Sequence, residues 1–384
     1  MKIAMIGHKR IPSREGGIEI VVDKLSTELV KRGHTVVAYN RKGHHVSGKE
    51  FENNKTSDCY NGIRLKTVFT FESSKLNAIV YSVLAAIRAS FSRFDVVHFH
   101  AEGPASMCWL PKLFGKRVIV TIHGLDWQRS KWGGFATGFL KFGEKTAAKY
   151  ADEIIVLSKN VQKYFLDTYN RKTVYIPNGI EKPEIRDNSL IKEKFKLEKN
   201  EYILFLGRIV PEKGVHYLIN AYKNIETDKK LVIAGGSSHT SEYMNEVKEL
   251  AKDDSRIIFT DFVQGQALEE LYSNAYVYCL PSDLEGMPLS LLEAMSYGNC
   301  CLISDIPECT EVCESNAAVF KKGNEKDLQE KLQMLLNHKD LTDKYKQNSS
   351  EFICNKFNWN DIVSETLVLY LRASVCRVRR DKTS

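Results

Sequence analysis

Short apolar, β-branched runs alternate with helix-length amphipathic stretches along the whole chain of 384 residues. The strand-like runs are Lys2–Ile6, Thr35–Tyr39, Asp95–Phe99, Arg117–Ile122, Glu153–Leu157, Val174–Ile176, Tyr202–Leu206, Lys230–Ala234, Arg256–Thr260, Tyr276–Leu280 and Cys301–Ser304. The helix-like stretches between them include Glu19–Lys31, Phe135–Tyr150, Val215–Asn224, Glu242–Lys252 and Leu289–Tyr297. This alternation predicts parallel sheets covered by helices on both faces. Near-continuous apolar strands are what burial on both faces requires.

So many strands exceed one doubly wound sheet, so the pattern predicts two domains. The segment Ile176-Pro-Asn-Gly-Ile180 combines turn-forming residues, and a polar, charged stretch follows it. We therefore expect the first domain to end at residue 180 and the second to begin at residue 181.

Composition narrows the class of protein. Hydrophobic residues make up 43% and charged residues 27%, which excludes a disordered tail, a collagen-like fibre and a disulfide scaffold. No run approaches the roughly 20 apolar residues of a membrane-spanning helix. The first residues resemble a strand more than a signal peptide, and nine cysteines without such a signal favour the reduced cytosol.

Charge is divided unevenly along the chain. Residues 1–180 hold 28 Lys and Arg against 15 Asp and Glu, whereas residues 181–384 hold 27 against 33. A basic first half is compatible with nucleic acid, an anionic membrane or a phosphorylated substrate. The alternative is drift in surface composition.

Loops after strands are where ligands of such sheets bind. The loop after the first strand ends in Gly16 and Gly17, directly before a predicted helix. Adjacent glycines at a helix N-terminus let backbone N–H groups approach an anion. The spacing does not match the dinucleotide-binding fingerprint, and a flexible loop is the alternative.

A second loop follows Tyr202–Leu206 and contains Gly207, Arg208, Lys213 and Gly214. Arg208 offers a planar fork of donors and Lys213 a compact charge, a combination suited to binding a diphosphate. Ordinary surface cations are the alternative.

A third loop and its helix carry two glutamates. The residues of interest there are Glu285, Gly286, Met287, Pro288, Leu289 and Glu293. Pro288 suits a first helical turn, and the helix N-terminus would direct its dipole at a bound phosphate. Glu293 lies among apolar neighbours, where an unpaired carboxylate is costly, so a pair of sugar or ribose hydroxyls is a fitting partner. A solvated helix face is the alternative.

Histidines follow two further strands. His123 comes directly after Arg117–Ile122, where a ligand-facing imidazole is useful, although a structural role is the alternative. His98 and His100 flank Phe99, so alternation places both on one face, and we interpret both as structural.

Motifs for metal binding are missing from the sequence. It has no C-x-x-C, no H-E-x-x-H and no Asp-x-Asp, so no bound metal is predicted. Cys300 and Cys301 lie in an apolar run and are expected in the core.

Taken together, Gly207-Arg208…Lys213-Gly214 and Glu285-Gly286…Glu293 resemble the signature of the retaining family-4 glycosyltransferases. The Gly16-Gly17 loop, residues 176–179 and His123 agree with it, so the resemblance covers nearly the whole chain. It implies the α/β GT-B fold, with two Rossmann-like, doubly wound domains facing across a cleft. The domains would be 1–180, binding the acceptor, and 181–358, binding the nucleotide sugar, with a C-terminal helix at about 359–376 returning to the first.

The same resemblance implies roles for individual residues. Arg208 and Lys213 would bind the donor diphosphate, Glu293 the nucleotide ribose, and Glu285 would face the transferred sugar. His123 would stabilise the sugar in the transition state, and Gly16-Gly17 would lie against the phosphates. The nucleotide sugar is then a substrate, and no cofactor or metal is implied.

A narrower resemblance involves residues 7–19 and the run His123-Gly-Leu-Asp-Trp-Gln-Arg129. Both are similar to a subgroup associated with rhamnosyl transfer to lipid-linked saccharides in bacterial surface polysaccharide assembly. It implies a hexose or deoxyhexose donor, a polyprenyl-diphosphate-linked saccharide acceptor and no nucleic acid partner. The enzyme would be cytoplasmic and peripheral at the inner face of the membrane.

Two basic segments are candidates for the membrane contact. The stretch Lys75–Arg93 is apolar with cations near its ends, and residues 377–382 are rich in Arg and Lys. A helix packed on the sheet and a frayed terminus are the respective alternatives.

Two other functions are compatible with parts of the sequence. One is a non-catalytic binder of nucleic acid or an anionic surface, which uses the basic half but lacks interleaved aromatic and basic platforms. The other is a nucleotide-sugar epimerase or a phosphorylase of similar architecture.

Overall fold

The computed structural model describes residues 1–43, 58–71, 76–128, 134–236 and 241–380, with residues 241 and 373–380 described by their backbone alone. The chain divides into two compact units. Unit 1 comprises Met1–Gly179 and the C-terminal segment from Trp359 onward, and unit 2 comprises Ile180–Asn358.

Unit 1 is built on one sheet of eight strands. Its strands are β1 (Lys2–Ile6), β2 (Thr35–Arg41), β3 (Cys59–Tyr60), β4 (Ile63–Val68), β5 (Val96–His100), β6 (Arg117–Ile122), β7 (Glu153–Val156) and β8 (Val174–Tyr175). The strand order is β3-β4-β2-β1-β5-β6-β7-β8, and all pairs are parallel except β3 with β4. Strands β1, β5 and β6 are almost wholly buried, which agrees with their mostly apolar sequences.

Helices cover the sheet of unit 1. They are α1 (Gly17–Lys31), α2 (Asn77–Ser90), α3 (Glu102–Ala105), α4 (Trp109–Leu113), α5 (Gly134–Tyr150) and α6 (Lys159–Tyr169). Ser158 caps α6 by accepting a hydrogen bond from the Val161 amide, and Asn170 ends it in a left-handed conformation. Ala85, Ala86 and Ala89 of α2 are fully buried in the core, where small side chains let the helix lie close to the strands.

Unit 2 is built on a second, fully parallel sheet. Its strands are β9 (Tyr202–Leu206), β10 (Lys230–Ala234), β11 (Ile257–Asp261), β12 (Val277–Leu280), β13 (Cys300–Ser304) and β14 (Ala318–Phe320), in the order β11-β10-β9-β12-β13-β14. Its helices are α7 (Ser189–Phe195), α8 (Val215–Lys223), α9 (Ser241–Ala251), α10 (Gln266–Asn274), α11 (Leu289–Ser296), α12 (Pro307–Cys313), α13 (Glu325–Asn337) and α14 (Lys339–Lys356).

The last helix, α15 (Trp359–Arg380), packs on unit 1. Its Tyr370 hydroxyl lies 2.6 Å from Nδ1 of His98 in β5, and its Leu369 carbonyl accepts a hydrogen bond from Arg117 of β6. The Trp359 ring lies so close to Gly179 that a Cβ there would be 2.5 Å from it. The segment from residue 359 is therefore part of the first sheet's packing. The predicted parallel α/β architecture is confirmed.

Candidate active site

The order of strands in unit 2 changes direction at β9, which lies between β10 and β12. Such a switch point leaves a crevice at the carboxyl ends of the two strands. The loops after β9 and β12 meet there, at Gly214 and Pro281. Gly214 has a φ of +65°, and a Cβ on it would lie only 2.1 Å from the Pro281 carbonyl oxygen. The Asp283 amide also donates to the Glu212 carbonyl at 2.9 Å. Gly214 is thus required for this close approach.

Lys213 and Glu285 form an ion pair between these loops. Lys213 Nζ lies 2.5 Å from Glu285 Oε1, and the two side chains are only 12% and 9% exposed. Ser282 donates its hydroxyl to the same Glu285 oxygen at 2.7 Å. A cation is therefore held at the strand ends, in a fixed position and with little water around it.

The other predicted residues of these loops lie close by in the chain. Arg208 is half-buried and stands two residues after β9, directly after Gly207. Gly286, Met287 and Pro288 are buried, and Leu289 is half-buried. Pro288 is the residue that precedes α11, one position before the first helical turn that we predicted for it.

Glu293 lies in α11, where it is half-buried. The buried Tyr272 of α10 donates its hydroxyl to Glu293 Oε2 at 3.0 Å, and its ring stacks on Tyr297 at 5.3 Å. Burial raises the pKa of Tyr272 well above its usual value, so its hydroxyl keeps the proton that it donates. The cost of a carboxylate among apolar neighbours is thus offset in part by this bond.

In unit 1, His123 follows β6 and is hydrogen-bonded to His100 at the end of β5. His123 Nε2 and His100 Nδ1 are 3.1 Å apart, and the rings of His98 and His100 lie 4.2 Å apart on one face, as predicted. Burial lowers the pKa of His123 to about 4, against a smaller opposite effect of Asp126. His123 is therefore neutral at neutral pH, and it can donate or accept a hydrogen bond but does not supply a positive charge.

The loop of His123 is anchored by a buried carboxyl group. Both oxygens of Glu102 lie 3.1 Å from the Asp126 amide, and Glu102 is completely buried. Burial, together with Asp126 and Glu144, raises the pKa of Glu102. Glu144 in turn accepts hydrogen bonds from the hydroxyls of Tyr164 and Tyr169.

Gly16 and Gly17 lie at the start of α1, with Gly16 as its extended N-cap. A carboxylate of the protein itself already lies at this helix end: a Cβ on Gly16 would be 2.5 Å from Glu19 Oε2. Glu19 also accepts a hydrogen bond from the Lys9 amide at 2.8 Å. The Glu19 carboxylate near the helix N-terminus interacts favourably with the helix dipole, and it would compete with an incoming anion for this position.

Three residues that hold the predicted ones in place were not predicted from the sequence: Ser282, Tyr272 and Glu102. Ser282 stands three residues before Glu285, a spacing in one loop that could have indicated their hydrogen bond. Tyr272 reaches Glu293 from another helix, so only the fold shows the contact. His100, which we interpreted as structural, contacts His123 directly.

Among the described residues, no group of three or more His, Cys, Asp or Glu side chains is arranged to hold a metal ion. The eight cysteines whose side chains are described are free thiols, and Cys300 and Cys301 are fully buried, as predicted.

Of the two basic segments, the first forms α2 with several half-buried residues and an exposed end. Lys75, Arg129 and the side chains of residues 377–382 lie outside the described residues. Within the described ranges, no helix combines the length and the apolar character needed to cross a bilayer.

Two family models match consecutive parts of the chain. Residues 15–182 match the model described as Glycosyltransferase Family 4, and residues 187–352 match that described as Glycosyl transferases group 1.

Two similar proteins show how far the likeness extends, one over nearly its full length and the other over a little more than half. An uncharacterized glycosyltransferase of Methanocaldococcus jannaschii is 25% identical over 96% of this chain and 98% of its own. The UDP-Gal:alpha-D-GlcNAc-diphosphoundecaprenol alpha-1,3-galactosyltransferase of Escherichia coli is 28% identical over 56% of this chain and 58% of its own.

Solved structures share the fold at low identity. Sucrose-phosphate synthase from Thermosynechococcus elongatus has a TM-score of 0.80 at 19% identity, covering 98% of this chain and 99% of that one. Anabaena HepE, solved in complex with UDP-glucose, has a TM-score of 0.78 at 16% identity, covering 96% and 99%. The fold is therefore GT-B, as predicted. With the two family models, this identifies the chain as a family 4-like glycosyltransferase.

Proposed function

We propose that this enzyme transfers a sugar from a nucleotide-diphosphate sugar to a saccharide acceptor, with retention of anomeric configuration and without a metal. The observation that carries the proposal is the Lys213–Glu285 pair, held at the switch point of the second sheet by the close approach of Gly214 to Pro281. The UDP-glucose in the complex of the similar Anabaena protein supports a donor of this class.

The donor would be bound by unit 2. Lys213 and Arg208 neutralise the diphosphate, with Gly207 leaving room beside them. The backbone of residues 286–289, at the start of α11, would donate hydrogen bonds to a phosphate. Glu293 binds the ribose hydroxyls, and Glu285 both orients Lys213 and faces the transferred sugar.

Sugar transfer breaks the bond between the anomeric carbon and the phosphate oxygen and forms a bond from that carbon to the acceptor oxygen. In the retaining reaction both bonds lie on the same face of the sugar. The acceptor hydroxyl gives its proton to the departing phosphate oxygen. Negative charge develops on the diphosphate, so fixed cations there stabilise the transition state, each contributing about 10²–10³ in rate.

We assign His123 to the transferred sugar and Gly16-Gly17 to the phosphates. Because burial lowers the pKa of His123 to about 4, its part is a hydrogen bond from a neutral ring. Contact of Gly16-Gly17 with a phosphate requires the Glu19 carboxylate to be screened or displaced.

We further propose a hexose or deoxyhexose donor, rhamnose being the one that the subgroup motifs favour, and a polyprenyl-diphosphate-linked acceptor. The name of the Escherichia coli relative, which acts on a diphosphoundecaprenol-linked sugar, supports such an acceptor. The enzyme would then work peripherally at the inner face of the membrane. No comparison favours a nucleic-acid binder, an epimerase or a phosphorylase.

A thermal-shift screen with nucleoside diphosphates and their sugars tests the donor class. A ligand at about 100 times its Kd should add about 2.7 kcal/mol to the free energy of unfolding. The shift should vanish in an Arg208→Ala or Lys213→Ala variant that still folds. A wild-type chain that no nucleoside diphosphate stabilises would contradict the proposal.

A further inference from the structure

Large exposed hydrophobic side chains are concentrated on unit 1. Of the fourteen in the described residues, Ile185 alone belongs to unit 2. Helices α2, α4 and α5 of unit 1, with their ends, carry eight of them. Five of the eight form what we call the phenylalanine face: Phe91, Leu113, Phe114, Phe135 and Phe142. Phe91, Leu113 and Phe135 are more than 70% exposed, far more than isolated surface residues need to be.

The helices that carry this face are neighbours in unit 1. Helix α4 packs against both α2 and α5. Phe91, directly after α2, meets Phe114, directly after α4, edge to face with ring centres 4.7 Å apart. On α5, Phe135 and Phe142 are two helical turns apart and therefore share one side of the helix.

The same helices are basic. Lys145 and Lys149 continue the side of α5 that carries Phe135 and Phe142, and both are exposed. In the described residues of α2, α4 and α5, Glu144 is the only acidic side chain, and it is completely buried. An approaching surface would therefore meet phenylalanine rings and lysines, with no carboxylate of these helices exposed.

We propose that the phenylalanine face docks on an anionic phospholipid bilayer. Interfacial helices combine Phe and Leu with Lys in this way, and anionic headgroups attract the cations. A protein partner fits less well, because lysine is depleted from the centres of protein interfaces, whereas Lys145 and Lys149 continue the apolar stripe here. The proposal deepens the proposed function, since an enzyme held at the bilayer meets a lipid-linked acceptor there.

Sedimentation with vesicles tests the proposal. The wild-type chain should bind vesicles containing phosphatidylglycerol and should bind pure phosphatidylcholine vesicles far more weakly. Replacing Phe91 and Phe142 by serine should weaken binding by about tenfold or more for each ring. The matched control is Ile185→Ser, which removes an exposed hydrophobic side chain of unit 2 (61% exposed) and should leave binding unchanged.

Replacing the lysines of α5 tests the electrostatic part of the proposal independently of the phenylalanine replacements. The variant Lys145→Gln with Lys149→Gln should bind anionic vesicles more weakly, by about fivefold for each lysine. Added salt should likewise weaken vesicle binding by the wild-type chain. Lys339→Gln with Lys344→Gln, exposed lysines of unit 2, serves as the control. Donor binding, followed by the thermal shift with nucleoside diphosphates, should be the same in all variants.

Equal binding to both kinds of vesicle, or wild-type binding by the serine variant, would overturn the proposal. So would self-association without vesicles that the serine variant abolishes, since the face would then serve a second copy of the chain. A wild-type chain that binds anionic vesicles but no nucleoside diphosphate would leave this proposal standing and refute the proposed donor.

Discussion

Replacing Lys213 by methionine separates the catalytic role of this residue from its structural one. The variant keeps most of the side-chain volume but removes the charge that pairs with Glu285 at 2.5 Å. Breaking a buried ion pair by removing one partner costs about 3–5 kcal/mol. This pair is about a tenth exposed and Ser282 still donates to Glu285, so we expect a loss at or somewhat below the lower end of that range, about 2–3 kcal/mol.

Catalysis should suffer independently of this destabilisation. Losing one preorganised cation beside the departing diphosphate should lower the rate about 10²–10³-fold. The assay is nucleoside diphosphate release at saturating donor, with stability followed by urea unfolding of the same preparations. A second variant, Lys213→Met with Glu285→Gln, leaves no unpaired carboxylate and should regain most of the stability without regaining transfer.

The matched control is Lys248→Met. Lys248 also pairs with a carboxylate of unit 2, Asp261 at 3.3 Å, but the two side chains are 45% and 72% exposed. A surface pair of this kind contributes about 1 kcal/mol or less, so both stability and turnover should stay near wild type. Wild-type turnover in Lys213→Met, or recovery of transfer together with stability in the double variant, would refute the assigned role.

Three further predictions follow from the described contacts. Gly214→Ala should lower stability and weaken nucleoside diphosphate binding, because its Cβ would clash with the carbonyl of the facing loop; Gly265→Ala, with a similar φ of +59° but open space, should cost less, and calorimetry that ranks the two equally would contradict this. Glu293→Gln should reduce the preference for a ribonucleoside diphosphate over its 2′-deoxy form, measured by titration; an unchanged ratio would remove Glu293 from the ribose. Because burial holds the pKa of His123 near 4 and that of His98 near 3, below the ordinary 6.5, the unfolded chain binds more protons between pH 6.5 and 4. The free energy of unfolding should therefore decrease as the pH is lowered from 6.5 to 4, by up to about 1.4 kcal/mol per pH unit for each histidine. Urea unfolding of His98→Gln should show a weaker dependence on pH, and an equal dependence would contradict the burial argument.

Much of the fold was predictable because buried parallel strands have a clear sequence signature. Lys2–Ile6, Arg117–Ile122, Tyr202–Leu206 and Lys230–Ala234 have the predicted bounds, since each is a nearly continuous apolar run. Strand β4 was missed because it mixes exposed and buried residues without strict alternation. The short strands β3 and β14, of two and three residues, were missed as well.

The site was predictable only as separate loops. Glycines, cations and carboxylates after strands indicated where ligands bind, but Lys213 and Glu285 are 72 residues apart in sequence. Their contact depends on the strand order at β9 and on the approach of Gly214 to Pro281, which no local pattern encodes. The partners that hold Glu293 and His123 come from other elements for the same reason.

The central claim is that unit 2 binds the donor diphosphate through Lys213 and Arg208. A crystal structure of the chain with a nucleotide sugar tests it most directly. We predict diphosphate oxygens within hydrogen-bonding distance of Lys213 Nζ and the Arg208 guanidinium, with the ribose hydroxyls on Glu293. A diphosphate bound elsewhere on the chain, away from both cations, would contradict the account.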